Sequence, residues 1–217
     1  MKGLIEMKIQ LENVSKEFDG NIVLKDVNLE FKEKNIYGLI GRNGSGKSVL
    51  LKLICGFYKP TTGKILIDER NIILENSFLP DARVLIEKPN FLPDETGMEN
   101  LKILAKIQDK IDDKRINETL DLVNLSIEDR NKKYHKYSLG MKQKLGIAQV
   151  LMENPKIMIF DEPFNGVESI TIEKIKNELI KQKKMGKIII ISSHIKEDLE
   201  EIADEIYCFD SGEVSKI

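Results

Sequence analysis

The sequence predicts an α/β fold: a parallel sheet covered on both faces, an antiparallel β-subdomain on its N-terminal side and an α-helical subdomain inserted between two halves of the core. Three observations predict it. Short apolar runs of strand length, at 36–40, 157–160 and 188–191, alternate with helical patterns, as in a sheet buried on both faces. Two alternating runs (Ile9, Leu11; Val27, Leu29, Phe31) flank the turn signal Asp19-Gly20-Asn21, which reads as half-exposed antiparallel strands. Between about 97 and 152 the spacing of apolar residues becomes helical and strand-length β-branched clusters disappear.

Taken in order, residues 1–6 carry no clear signal, and a single domain spans 7–217: 7–96 and 153–217 form the core, 97–152 the helical insertion. After the two alternating strands comes the apolar run at 36–40, a glycine-rich loop, and a helix carrying Val49, Leu50, Leu51, Leu53 and Ile54. Tyr58-Lys59-Pro60-Thr61-Thr62-Gly63 is a loop, 64–68 a short strand and 83–86 another, closed by a loop with Pro89 and Pro93. Thr96 caps a helix with Met98, Leu101, Ile103 and Leu104; Ile116, Leu120, Leu122 and Val123 mark a second. The polar, lysine-rich stretch 128–136 reads as a solvated face, and a third helix runs from about 140 to 152. Strand 157–160, helix 170–185 with Gly186 as its stop, strand 187–192, a short acidic helix at 197–203 and a hairpin closing at Asp210-Ser211-Gly212 complete the chain.

Bulk composition narrows the function. With 32% charged and 41% hydrophobic residues and a net charge of -2, nothing global recruits nucleic acid or anionic lipid. No apolar run approaches the roughly 20 residues that cross a bilayer. The expectation is a chain that folds in the cytoplasm and reaches a membrane only through a partner. Cys55 and Cys208 lie in apolar helix and strand patterns and read as reduced core residues.

The chemistry sits at the ends of the apolar strands. Gly41-Arg42-Asn43-Gly44-Ser45-Gly46-Lys47-Ser48 joins a strand to a helix. Its glycines let successive N–H groups turn inward around a phosphate, and the helix aims its positive end at the same point. Such a P-loop places Lys47 at the β/γ-phosphates and the Ser48 hydroxyl on Mg²⁺. The strand at 157–160 ends in Asp161-Glu162, two carboxylates at the sheet's carboxyl edge where the P-loop also opens. Asp161 suits Mg²⁺ and Glu162 suits a general base for an attacking water, the division of labour of an ATPase. Ser138, with the N–H groups that follow it, opens a helix and forms a second anion-binding N-terminus; taken alone it would be a simple N-cap. His194 follows the last core strand at the same edge, within reach of a γ-phosphate or a water, whereas His135 stands alone in a polar stretch.

In that order, over about 7–217, these motifs resemble the ATPase subunit of ATP-binding cassette (ABC) transporters: the P-loop, Ser138 with Gly140 as the signature helix, Asp161 with Glu162, and His194 as the switch histidine. The resemblance implies a P-loop NTPase core, ATP and Mg²⁺ as ligands, and a homodimer formed head to tail on ATP. In that dimer Ser138 and Gly140 of one chain face the γ-phosphate held by the other's loop. It also implies a separate membrane permease as partner, and hence a chain held at the inner face of the cell membrane, with no nucleic acid expected. Phe18 matches the aromatic that stacks on adenine, and Glu87 stands where the family has a glutamine that bridges Mg²⁺ and the permease. Leu139 and Met141 replace a glycine and a glutamine of the signature, and Glu168 a usual aspartate. The segment 85–101 is similar to the subgroup serving bacitracin, lantibiotic and other drug or peptide exporters. The competing readings are a soluble cassette acting on ribosomes or DNA, and a nucleotide sensor with idle chemistry.

Overall fold

The computed structural model describes residues 7–71 and 77–217; the segment 1–6, without a clear sequence signal, lies outside them. Two sheets organise the chain. Strands β1 (Lys8–Phe18), β2 (Asn21–Lys32), β4 (Thr62–Ile67) and β5 (Arg70–Asn71) form an antiparallel sheet in the order β2-β1-β4-β5. Strands β3 (Asn35–Gly41), β6 (Ala82–Leu85), β7 (Ile157–Asp161), β8 (Ile188–Ser193), β9 (Glu205–Asp210) and β10 (Glu213–Lys216) form a second, in the order β10-β9-β3-β8-β7-β6. All neighbours in the second sheet run parallel except β10, which returns antiparallel beside β9. The turn at 19–20 and the hairpin at 211–212 lie where their glycines predict, with Gly20 at φ 81° and Gly212 at φ 83°.

The parallel strands sort their side chains by parity. Ile36, Ile40, Met158, Phe160, Ile189 and Ile191 belong to one hydrophobic cluster, while Tyr37, Leu39, Ile157, Ile159, Ile188 and Ile190 belong to another. The first face is covered by the helical segment and by α6 (Ser169–Lys184); the second packs on α1 (Lys47–Ile54) and, through it, on the antiparallel sheet. Since successive side chains of a strand point to opposite faces, an apolar run with no polar position must be covered twice. All six residues of β8 are buried for this reason.

Helices α2 (Gly97–Gln108), α3 (Asp113–Leu122), α4 (Ile127–Arg130) and α5 (Leu139–Met152), with a 3₁₀ turn at Tyr134–Lys136, make up the inserted segment. Thr96 caps α2 as expected: Glu99 N–H donates to its Oγ1 (3.1 Å), and Thr96 N–H donates to Glu99 Oε2 (2.8 Å). The segment shares its apolar cluster with the sheet; α5 alone contributes Leu145, Ile147, Ala148, Val150, Leu151 and Met152. Each of these side chains larger than Ala148, once removed from water, is worth about 1.5–3 kcal/mol.

Helix α6 ends where Gly186 adopts φ 93°, with three lysines in its last turn complementing the dipole. The acidic helix expected at 197–203 is shorter. Only α7 (Glu197–Glu200) is helical, because Leu199 and Ala203 are drawn in against Gly38 of β3 and the chain must turn there to enter β9. Both cysteines are free thiols; burial of Cys55 pushes its pKa up to about 12.

Candidate active site

Strand β3 delivers the backbone to the carboxyl edge of the sheet at Gly41. Ser45 N–H closes the loop on Arg42 C=O (3.1 Å), and α1 begins at Lys47 with Gly46 as its N-cap at φ 105°. A side chain at Gly46 is excluded twice: the φ is left-handed, and a Cβ would lie 2.8 Å from Leu24 Cδ2. Lys47 curls back over the loop, its Nζ donating to Gly41 C=O (2.6 Å) and Arg42 C=O (3.2 Å). Residues 43–49, with Val23 and Glu162, line a cavity of about 140 Å³.

The second wall comes from β7 and β8. Asp161, 5% exposed, accepts from Ser48 Oγ (2.6 Å) and from Ser192 Oγ (2.5 Å), which ties β7 to both the P-loop helix and β8. Glu162 leaves the strand with φ 50°, a conformation that costs a residue with a side chain about 1–2 kcal/mol. Its carboxylate Oε2 accepts from His194 N–H (3.2 Å) and lies 2.7 Å from His194 Nδ1. Its Oε1 is 3.5 Å from Lys47 Nζ, is buried, and has no hydrogen-bond partner among the described residues. Ser45 Oγ is in the same state. Two unpartnered buried oxygens on one polar cavity are the signature of a site built around a hydrogen-bonding occupant.

The structure thus gathers residues of the 41–48 loop with Asp161, Glu162 and His194. Ser138 and Gly140 lie elsewhere: Ser138 caps α5, accepting from Met141 N–H (3.3 Å), and neither residue lines that cavity. Gly140 packs so closely on the loop after Glu162 that a Cβ there would be 2.3 Å from Gly166 C=O. Phe18 ends β1, 37% exposed, with its ring edge-on to Tyr58 (5.5 Å between centroids) and Lys16 Nζ 4.6 Å from its own centroid. His135 is a structural residue, its Nδ1 2.8 Å from Pro93 C=O.

The largely exposed carboxylate of Glu87, expected to meet Mg²⁺, pairs here with Lys52, one turn along α1 from Ser48. The hydrogen bond from Lys52 raises the lysine's pKa, so the charge that the carboxylate adds to this loop is already countered within the chain. Sequence reasoning also missed Tyr58, Gln143 and Ser192. Ser192 alone carried a local signal, two positions before His194 in the strand that faces Asp161. Beside Glu87 lies an apolar groove of about 680 Å³, lined by residues 84–86 and 88–93 with Asn100, Ile103, Leu104 and Gln149.

Residues 24–165 match the pattern of the ABC transporter family. The chain belongs to that family. It is 38% identical to the bacitracin transport ATP-binding protein of Enterococcus faecalis, over 96% of this chain and 68% of that one. To the lantibiotic transport ATP-binding protein of Streptococcus pyogenes it is 32% identical, over 95% of this chain and 88% of that one. Among solved structures it superposes with a TM-score of 0.83 on a dimeric ATP-binding cassette in a post-hydrolysis state with ADP and Pi, 27% identical, over 96% of this chain and 98% of that chain. The chain is therefore an ATP-binding cassette with the ATPase fold of its family, and no described helix is long and apolar enough to cross a membrane.

In this cassette Gly140 is held by contact with Gly166, so Gly140→Ala is expected to push the N-terminus of α5 off the loop after Glu162. ATP turnover should fall by about tenfold or more, with nucleotide affinity of the isolated chain unchanged, measured by steady-state phosphate release and fluorescent-nucleotide titration. A variant with full turnover would show that the contact is not needed.

Proposed function

We propose that this cassette, over residues 7–217, hydrolyses ATP to drive export of a drug, peptide or lipid-like substrate through a separate membrane permease. The observation that carries the reading is one small cavity lined by Lys47, Ser48 and Glu162, with Asp161 hydrogen-bonded to Ser48 and His194 to Glu162 behind it. Lys47 and the loop N–H groups bind the phosphates. Glu162, with its free Oε1 turned toward the cavity, accepts the proton of the attacking water; His194 orients that carboxylate. Ser48 Oγ and Asp161 Oδ2 are hard oxygen donors 2.6 Å apart, a fit for Mg²⁺, which when bound neutralises charge on the β- and γ-phosphates. Phe18, packed in a T-shaped contact with Tyr58, is the ring that stacks on adenine.

Ser138 and Gly140, outside this cavity, serve the nucleotide of a second copy in an ATP-dependent homodimer. The groove beside Glu87 receives the permease, with exposed Leu92 and Ile103 as its apolar contacts. That places the cassette on the inner face of the cell membrane. Support for the export class comes from the bacitracin and lantibiotic transport relatives and from the similarity of the 85–101 segment.

The test is purification of the tagged chain from its native membranes in mild detergent, with partners identified by mass spectrometry. A multispanning permease in stoichiometric amount is the expected result. Ribosomal or DNA-repair proteins without any membrane protein would leave the ATPase chemistry but overturn the transport assignment.

A further inference from the structure

Glu162 is fixed at both ends of its peptide unit as well as at its carboxylate. Its N–H points at Ser192, with Oγ at 3.0 Å and C=O at 3.2 Å, and its C=O accepts from Gln143 Nε2 (3.0 Å). Ser192 belongs to the sheet, but Gln143 belongs to α5, the helix that begins with Ser138 and Gly140. Gln143 is buried at 6% exposure. Two further contacts join the same turns of α5 to the same loop: Gly140 against Gly166, and the buried Lys144 paired with Glu168 at 2.7 Å. The hydrogen bond from Lys144 holds the Glu168 carboxyl below its usual range.

A left-handed non-glycine residue persists only where its surroundings over-determine it. Here the grip comes from two elements, and removing the Gln143 donor would leave the Glu162 carbonyl without its side-chain partner, which weakens the restraint on φ. The carboxylate that faces Lys47 hangs on that backbone.

We infer that Gln143 is a positioning residue for Glu162, and that α5 thereby couples the two nucleotide sites of the dimer. The N-terminus of α5 serves one site while its Gln143 sets the base of the other. A shift of α5 on docking against the partner's nucleotide is transmitted to Glu162 through the Gln143 amide and the Gly140–Gly166 and Lys144–Glu168 contacts. This rests on the proposed dimer and on the base role of Glu162.

The test compares wild type with Gln143→Met, which keeps the volume of the side chain and removes the donor. Expected results are a kcat about tenfold lower or more, a KM for ATP and a fluorescent-ATP affinity within about twofold of wild type, and a melting temperature unchanged to within about 2–4 °C. In a Glu162→Gln background, Gln143→Met should still give the ATP-bound dimer on gel filtration. If Gln143→Met turns over at the wild-type rate, or loses affinity and melting temperature in step with kcat, the positioning role is overturned. If Glu162→Gln alone forms no dimer with ATP, the dimer reading itself falls, and the coupling with it.

Discussion

Glu162→Gln lowers steady-state ATP hydrolysis by about 10²-fold or more, the scale expected for loss of a general base, and leaves the chain able to bind ATP. The substitution replaces one oxygen by an amide and retains the side-chain volume. The His194 N–H can still donate to the remaining oxygen, at the place where it now meets Oε2 at 3.2 Å. What disappears is a carboxylate whose Oε1 is buried without a hydrogen-bond partner among the described residues, and with it the negative charge. Lys47 meanwhile loses an anionic neighbour at 3.5 Å, which strengthens its hold on a phosphate. The expected result is therefore a split: ATP is bound, turnover stops, and the ATP-loaded dimer persists long enough to elute at twice the chain's mass. Phosphate release at the wild-type rate would remove Glu162 from the mechanism.

Lys47→Met raises the dissociation constant for ATP by about 10–100-fold, since a hydrogen bond to a charged group is worth about 1.5–3 kcal/mol. The lysine stem is buried at 5% exposure, and methionine fills most of that volume, so the fold is retained. The substitution also removes the hydrogen bonds that Lys47 donates to the Gly41 and Arg42 carbonyls. Fluorescent-nucleotide titration reads the affinity and a thermal melt reads the fold. Unchanged affinity would show that the ammonium does not meet the phosphates; a collapsed melt would show that it serves the loop's structure instead. In the doubly substituted Lys47→Met, Glu162→Gln chain, the trapped dimer should no longer form at ATP concentrations that trap Glu162→Gln alone.

The two variants separate binding from chemistry because the site is assembled from two strand ends with different tasks. Strand β3 feeds the loop proposed to hold the nucleotide, and β7 feeds the carboxylates proposed to act on it. Ser48 and Asp161, joined at 2.6 Å, are the seam between them.

What the sequence by itself determined is everything carried by a local pattern. The glycine loop between strand and helix placed Lys47 and Ser48, because only glycine tolerates the backbone at Gly46. The length of the apolar run at 157–160 placed Asp161 and Glu162 at the carboxyl edge, since a parallel strand delivers its last residue to the same edge as its neighbours. Thr96 and Ser138 announced helix starts through capping chemistry that spans three or four residues. Only the tertiary structure decided the partners of side chains far apart in the chain. Glu87 pairs with Lys52, 35 positions away, because the loop after β6 brings its carboxylate to an ammonium on α1. Gln143 meets the Glu162 carbonyl across 19 positions, and Ser192 meets Asp161 across 31. Periodicity and capping report the backbone within a few residues, whereas such pairings depend on sheet order and on how α5 lies over the sheet, and no window of sequence contains either.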